Sequence, residues 1–166
     1  MFRLVHISDI HLPLHLPALP PLQVLMSKRI TGYLNWKMNR RGVMKNNALT
    51  DLVDHIAVTG DLVNLALDAE IDRARQWLEQ LGPAENVSVV PGNHDAYIRG
   101  ALDRAIERWR PYLTGDTPRD DFPFPYLRQR GAVALIGVNT GIATAPFMAT
   151  GLFDEAQEKA TETLLQ

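Results

Sequence analysis

Apolar and polar residues alternate along this chain in two rhythms. Short apolar runs with β-branched residues occupy Phe2 to Ser8, His55 to Thr59, Val87 to Val90 and Val133 to Asn139, and runs of this length and composition predict buried strands. Helical spacing takes over between them. Ile71, Ala74, Leu78 and Leu81 fall on one face of a segment from Asp68 to Leu81, with Asp68 placed to cap its start and Gly82-Pro83 to stop it. Gly100 to Arg110, halted by Pro111, and Leu152 to Leu165 predict two further helices. Strands alternating with helices give an α/β fold with a largely parallel sheet and helices on its faces. Arg110 to Arg130, rich in proline and charge, reads as an irregular surface loop.

His11 to Arg41 breaks this rhythm. Pro13, Pro17, Pro20 and Pro21 remove backbone donors and fix φ, so their stretch forms no regular helix. Beyond them Leu22, Leu25, Met26, Ile30, Tyr33 and Leu34 make a helical stripe flanked by Lys28, Arg29 and Lys37. The expected organisation is one domain over residues 1–166 carrying a basic, amphipathic, cap-like insertion at about 12–42.

Composition narrows the chemistry. A chain of 166 residues with 46% hydrophobic and 22% charged positions is globular in composition, and no apolar stretch approaches the ~20 residues of a membrane-spanning helix. Without cysteine, any metal must be held by oxygen and imidazole donors. The net charge of −2 conceals an asymmetry: Ile10 to Thr50 contains no acid but carries Lys28, Arg29, Lys37, Arg40, Arg41 and Lys45, a segment suited to facing an anion. The opening residues Met1 to Asp9 lack the pattern of a signal peptide, so a cytoplasmic protein is expected.

The first three strands run into polar clusters: Asp9-Ile10-His11, Gly60-Asp61-Leu62-Val63-Asn64 and Gly92-Asn93-His94-Asp95. Turn and cap chemistry accounts for any one of them. It does not account for three at corresponding ends of neighbouring strands, where ligands bind in open α/β sheets. If the first strand continues to His11, Asp9 and His11 leave the same face. The two oxygens of Asp61 suit a bridge between two cations, Asn93 offers a carbonyl oxygen, and His94 a proton donor or phosphate contact. Asn64 is a supporting residue behind the site or a cap. His6 and His55, inside strands, read as structural, and His15, in the Pro-rich loop, is a candidate substrate contact.

Taken together, Asp9-x-His11, Gly60-Asp61-x-x-Asn64 and Gly92-Asn93-His94-Asp95 resemble the first three motif blocks of the calcineurin-like metallophosphoesterases. The resemblance implies a β-sandwich flanked by helices, two divalent cations (Mn, Fe or Zn), and phosphoester hydrolysis, in particular of phosphodiesters, by a metal-bound hydroxide. It implies that Asp9 and His11 bind the first cation, Asp61 bridges, Asn93 binds the second, His94 is the catalytic histidine and Asp95 its orienting partner.

The family's later histidines are absent, since no histidine follows His94, and the crossover between Arg41 and His55 is close to the minimum length. The expectation is therefore a fold incomplete at the C-terminus, with ligands beyond Gln166; the short crossover between Arg41 and His55 leaves open an absent internal segment, and the alternative is a naturally minimal chain. The competing reading is an anion- or membrane-binding module on the same fold without turnover. Trp36, Lys37, Arg40 and Arg41 are the candidate contacts to a lipid-like phosphoester or the inner face of a membrane. A cyclic nucleotide is the alternative substrate; nucleic acid is a weaker one, because the basic segment lacks a matching aromatic platform.

Overall fold

The computed structural model describes residues 2–13, 29, 53–119 and 121–166. Three parallel strands, β1 (Leu4–Ser8), β2 (His55–Thr59) and β3 (Val87–Val90), form one sheet in that order. Leu4 pairs with His55 and Ile56 with Val87, so all three strands end on one edge. Helices α1 (Asp68–Leu81) and α2 (Ala101–Trp109) follow β2 and β3. The core lies between them and the sheet: Val58, Val87, Val89, Ile71, Leu78 and Trp109 are all sequestered from solvent, and the Trp109 indole N–H donates to the carbonyl of Ile71 at 2.9 Å. Among the described residues no helix is long and apolar enough to cross a membrane.

The apolar run predicted over Val133 to Asn139 is strand β5 (Val133–Gly137), and the last helix is α3 (Glu155–Leu164), capped by the Asp154 carboxylate on the Gln157 amide at 2.8 Å. Four expectations need correction. Part of the supposed loop between Arg110 and Arg130 is a strand, β4 (Tyr126–Arg130), antiparallel to β5. Its charge misleads because Arg128 is buried and donates to the carbonyls of Thr114, Ala84, Val87 and Pro111, while Tyr126 fastens the second sheet to the first through its hydroxyl on Val89 at 2.8 Å. Secondly, β1 is not buried throughout: Leu4, His6 and Ser8 on one face are exposed, because β1 lies at the sheet's edge.

Thirdly, Asp68 does not cap α1. Leu67 is the N-cap, and Glu70, buried in the first turn, accepts from the amides of Leu67, Leu65 and Asn64. Finally, Arg29 is not an anion-facing charge. It is buried, with its guanidinium on the carbonyls of Leu65 and Ala66 at 2.7 and 2.5 Å, and burial lowers its pKa. His15, Trp36, Lys37, Arg40, Arg41 and residues 42–52 of the crossover before His55 lie outside the described residues.

Candidate metal centre

Three loops meet where β1, β2 and β3 end, and their backbones touch. A Cβ on Gly60 would lie 2.7 Å from the Cα of Gly92, and one on Gly92 would lie 2.2 Å from Asp61 Oδ1. Only glycine at both positions allows this approach. The chain also turns sharply here. Asp9, His11 and Asp61 have φ of 53°, 43° and 54°, a region that costs L-residues about 1–2 kcal/mol. Such conformations persist where surrounding structure enforces them, and they concentrate at functional sites.

These kinks correct the expectation that Asp9 and His11 share a face through strand pleating, since β1 stops at Ser8. Backbone bonds from Asp9 N to Gly60 O, His11 N to Asp61 O and Leu12 N to Leu62 O instead lay the first loop along the second. The side chains of His11, Asp61 and His94 then converge, each offering a ligand atom within 4.8 Å of the others. His11 Nε2 lies 3.8 Å from Asp61 Oδ2. That is too long for a hydrogen bond and suits two donors sharing one cation at about 2.0–2.2 Å each.

Each of these groups is held from behind. The Nδ1 of His11 meets the carbonyl of Val63 at 3.2 Å and that of His94 the carbonyl of Asn64 at 2.8 Å. A carbonyl only accepts, so both Nδ1 atoms carry the proton and both imidazoles present Nε2 as the coordinating or proton-accepting nitrogen. Asp61 Oδ1 accepts the backbone amide of His94 at 2.9 Å. A carboxylate and two imidazoles in one tautomer fit a borderline divalent cation.

Asp9 is exposed and stands outside this converging group; Asn93 is half-buried in the same loop as His94. Asn64 is buried and ties the first two loops together, its amide nitrogen donating to Leu12 O at 3.0 Å. Asp95 does not orient His94. Fully buried, its carboxylate accepts from the amides of Leu62, Val63 and Gly92 at 3.0, 3.1 and 2.8 Å. It thus clamps the second loop to the third, and burial pushes its pKa up to about 7 against the opposing pull of the Gly92 amide. The residue behind His94 that motif reading overlooked is Tyr97, buried and stacked on the imidazole with centroids 5.3 Å apart. An aromatic residue directly after the turn that carries His94 is the signal that identifies it.

No curated protein matches this chain. A family model described as calcineurin-like phosphoesterase matches residues 2–160, a span that includes every residue of the three loops. A match of that extent shows that the chain belongs to the calcineurin-like phosphoesterase family.

Proposed function

We propose that this chain is a metal-dependent phosphodiesterase that works with two divalent cations, a finer reading than the metal-dependent phosphoester hydrolysis suggested by its family. The observation that carries it is the convergence of His11, Asp61 and His94 at the ends of three parallel strands. In this reading His11 and Asp61 would hold the first cation, joined by Asp9, which stands outside the converging group, and Asp61 and Asn93 would hold the second. Divalent cations supply Lewis acidity to phosphoryl oxygens and lower the pKa of a nucleophilic water. His94, with its Nδ1 proton committed to Asn64, would take up a proton from water at Nε2 and, as the imidazolium, deliver that proton to the leaving oxygen, returning to the neutral Nδ1–H form. Asp95 acts earlier in the chain of causes, by fixing the loop that presents Asn93 and His94. Mn, Fe and Zn all suit such donors. A lipid-like or cyclic-nucleotide substrate, and contact with the inner face of a membrane from a cytoplasmic location, rest on the sequence of the basic segment.

The test is titration with Mn²⁺ by calorimetry alongside hydrolysis of bis(p-nitrophenyl) phosphate. Asp61→Asn should abolish tight metal binding, and turnover with it, while Asn93→Ala should remove only the weaker of two binding events. Phosphate binding without turnover at any metal loading would assign the fold to a binding module instead.

A further inference from the structure

We infer that Tyr97 is a positioning residue for His94, an inference that rests on the phosphoesterase reading for its catalytic consequence but not for its geometry. His94 is confined on three sides. Its Nδ1–H is held by Asn64 O at 2.8 Å, the edge-on ring of His11 lies 4.8 Å away at 89°, and the ring of Tyr97 covers one face at 5.3 Å and 12° from parallel. The local sequence explains the stack. Ala96 N donates to Gly92 O at 3.2 Å, which closes a turn over His94, and Tyr97 follows directly on that turn with its ring brought against the imidazole. Tyr97 is only 7% exposed, so its ring is fixed by the core and has no freedom to follow a moving imidazole.

The consequence concerns which nitrogen His94 presents. One hydrogen bond to a backbone carbonyl leaves the imidazole able to swing about its Cα–Cβ and Cβ–Cγ bonds, and a ring flip would carry Nε2 away from Asp61. A flat aromatic wall against one face blocks the out-of-plane rotation through which a flip must pass, at little entropic cost, since the wall is already ordered by folding. The contact with His94 is made by the ring and not by the hydroxyl, so a phenyl ring keeps the stack. An aliphatic side chain of similar volume does not.

Two readouts test the proposal. In metal-free protein labelled with ¹⁵N-histidine at pH 8, His94 should show a single Nδ1–H tautomer in the unmodified chain and in Tyr97→Phe, and a mixture of tautomers in Tyr97→Leu. With Mn²⁺ bound, Tyr97→Leu should lose about tenfold or more in kcat for bis(p-nitrophenyl) phosphate, as misplacement of a reacting group does. Its KM and Mn²⁺ affinity should stay within twofold, with Tyr97→Phe restoring kcat. Tyr97→Met, flexible and without a flat face, should repeat the result if the leucine variant folds poorly. A pure Nδ1–H tautomer in both aliphatic variants would overturn the proposal, as would loss of metal affinity in step with kcat. Because the tautomer is read without metal or substrate, its outcome is independent of whether the chain hydrolyses phosphoesters.

Discussion

The loops that follow β1, β2 and β3 and the chain that follows β5 are both irregular, yet they are built in opposite ways. In the first set, buried carboxylates serve as acceptors for backbone amides: Asp95 takes three and Glu70 takes those of Asn64, Leu65 and Leu67. In the second, Phe147, Met148, Leu152 and Phe153 stand exposed, Phe147 at 91%, and backbone bonds from Met148 N to Ala145 O and from Leu152 N to Thr140 O hold the stretch. Its buried polar ties centre on Asn139, which exchanges bonds with Gln157 at 2.7 and 2.8 Å and with Gly141 at 3.3 Å. The difference shows where rigidity is concentrated. A candidate ligand such as Asp61 keeps its direction because neighbouring loops are clamped by side chains that never touch the ligand space.

The strongest way to break that contrast is to remove one clamp from each half. Asp95→Ala leaves three amides without an acceptor in a buried setting, and at about 1–3 kcal/mol for each orphaned group the loss should reach 3 kcal/mol or more. Gln157→Ala strands one amide and one carbonyl of Asn139, and should cost about 2 kcal/mol. Urea unfolding of both variants checks the ranking, and equal losses would mean that the two halves share their stability evenly.

The same contrast explains what the sequence reveals. Apolar runs mark β1, β2, β3 and β5, and Ile71, Ala74 and Leu78 mark α1, because burial on one face leaves a period in the sequence. The loops bearing Asp9, His11, Asp61, Asn93 and His94 are legible because metal chemistry demands particular residue types at strand ends. Residues whose role lies in partners rather than type are not legible. Arg128 looks like surface charge until four carbonyls surround it. Asp95 looks like a partner for His94 until its oxygens are traced to backbone amides. No pattern in sequence reports a left-handed φ at Asp9 or His11, which comes from the backbone bonds between loops.

A smaller effect, away from both regions, comes from His55 at the start of β2. Its Nε2 lies 2.7 Å from Ser88 Oγ, and burial, reinforced by the charges of Arg130 and Arg128, lowers its pKa to about 4. The folded protein therefore keeps His55 neutral where the unfolded chain, with an ordinary value near 6.5, takes up a proton. This contribution to stability is fully present above pH 6.5 and is lost as pH falls through the window to about 4. His55→Gln keeps a partner for Ser88 without the titration. The difference in urea midpoint between the two proteins should change across that window and stay flat from pH 7 to 8, and a constant difference throughout would show that His55 titrates normally.

The smallest expected effect sets Phe147 against Asp61. Both hold left-handed backbone, φ 65° and 54°, and asparagine adopts that region more readily than other L-residues with a Cβ. At Phe147 the ring contributes almost no burial to set against the strain, so Phe147→Asn should leave stability unchanged or raise it by about 0.5–1 kcal/mol, read as a small increase in the urea midpoint. Aspartate already tolerates this region nearly as well as asparagine, so Asp61→Asn should leave metal-free stability within about 0.5 kcal/mol even as tight Mn²⁺ binding is lost. Stability kept in both variants, with metal binding lost in the Asp61 variant alone, would separate conformation from chemistry: strain at the exposed loop serves no ligand, whereas at Asp61 it aims a carboxylate. A clear loss at Phe147 would instead mean that its ring makes a contact within the folded chain that outweighs the backbone strain.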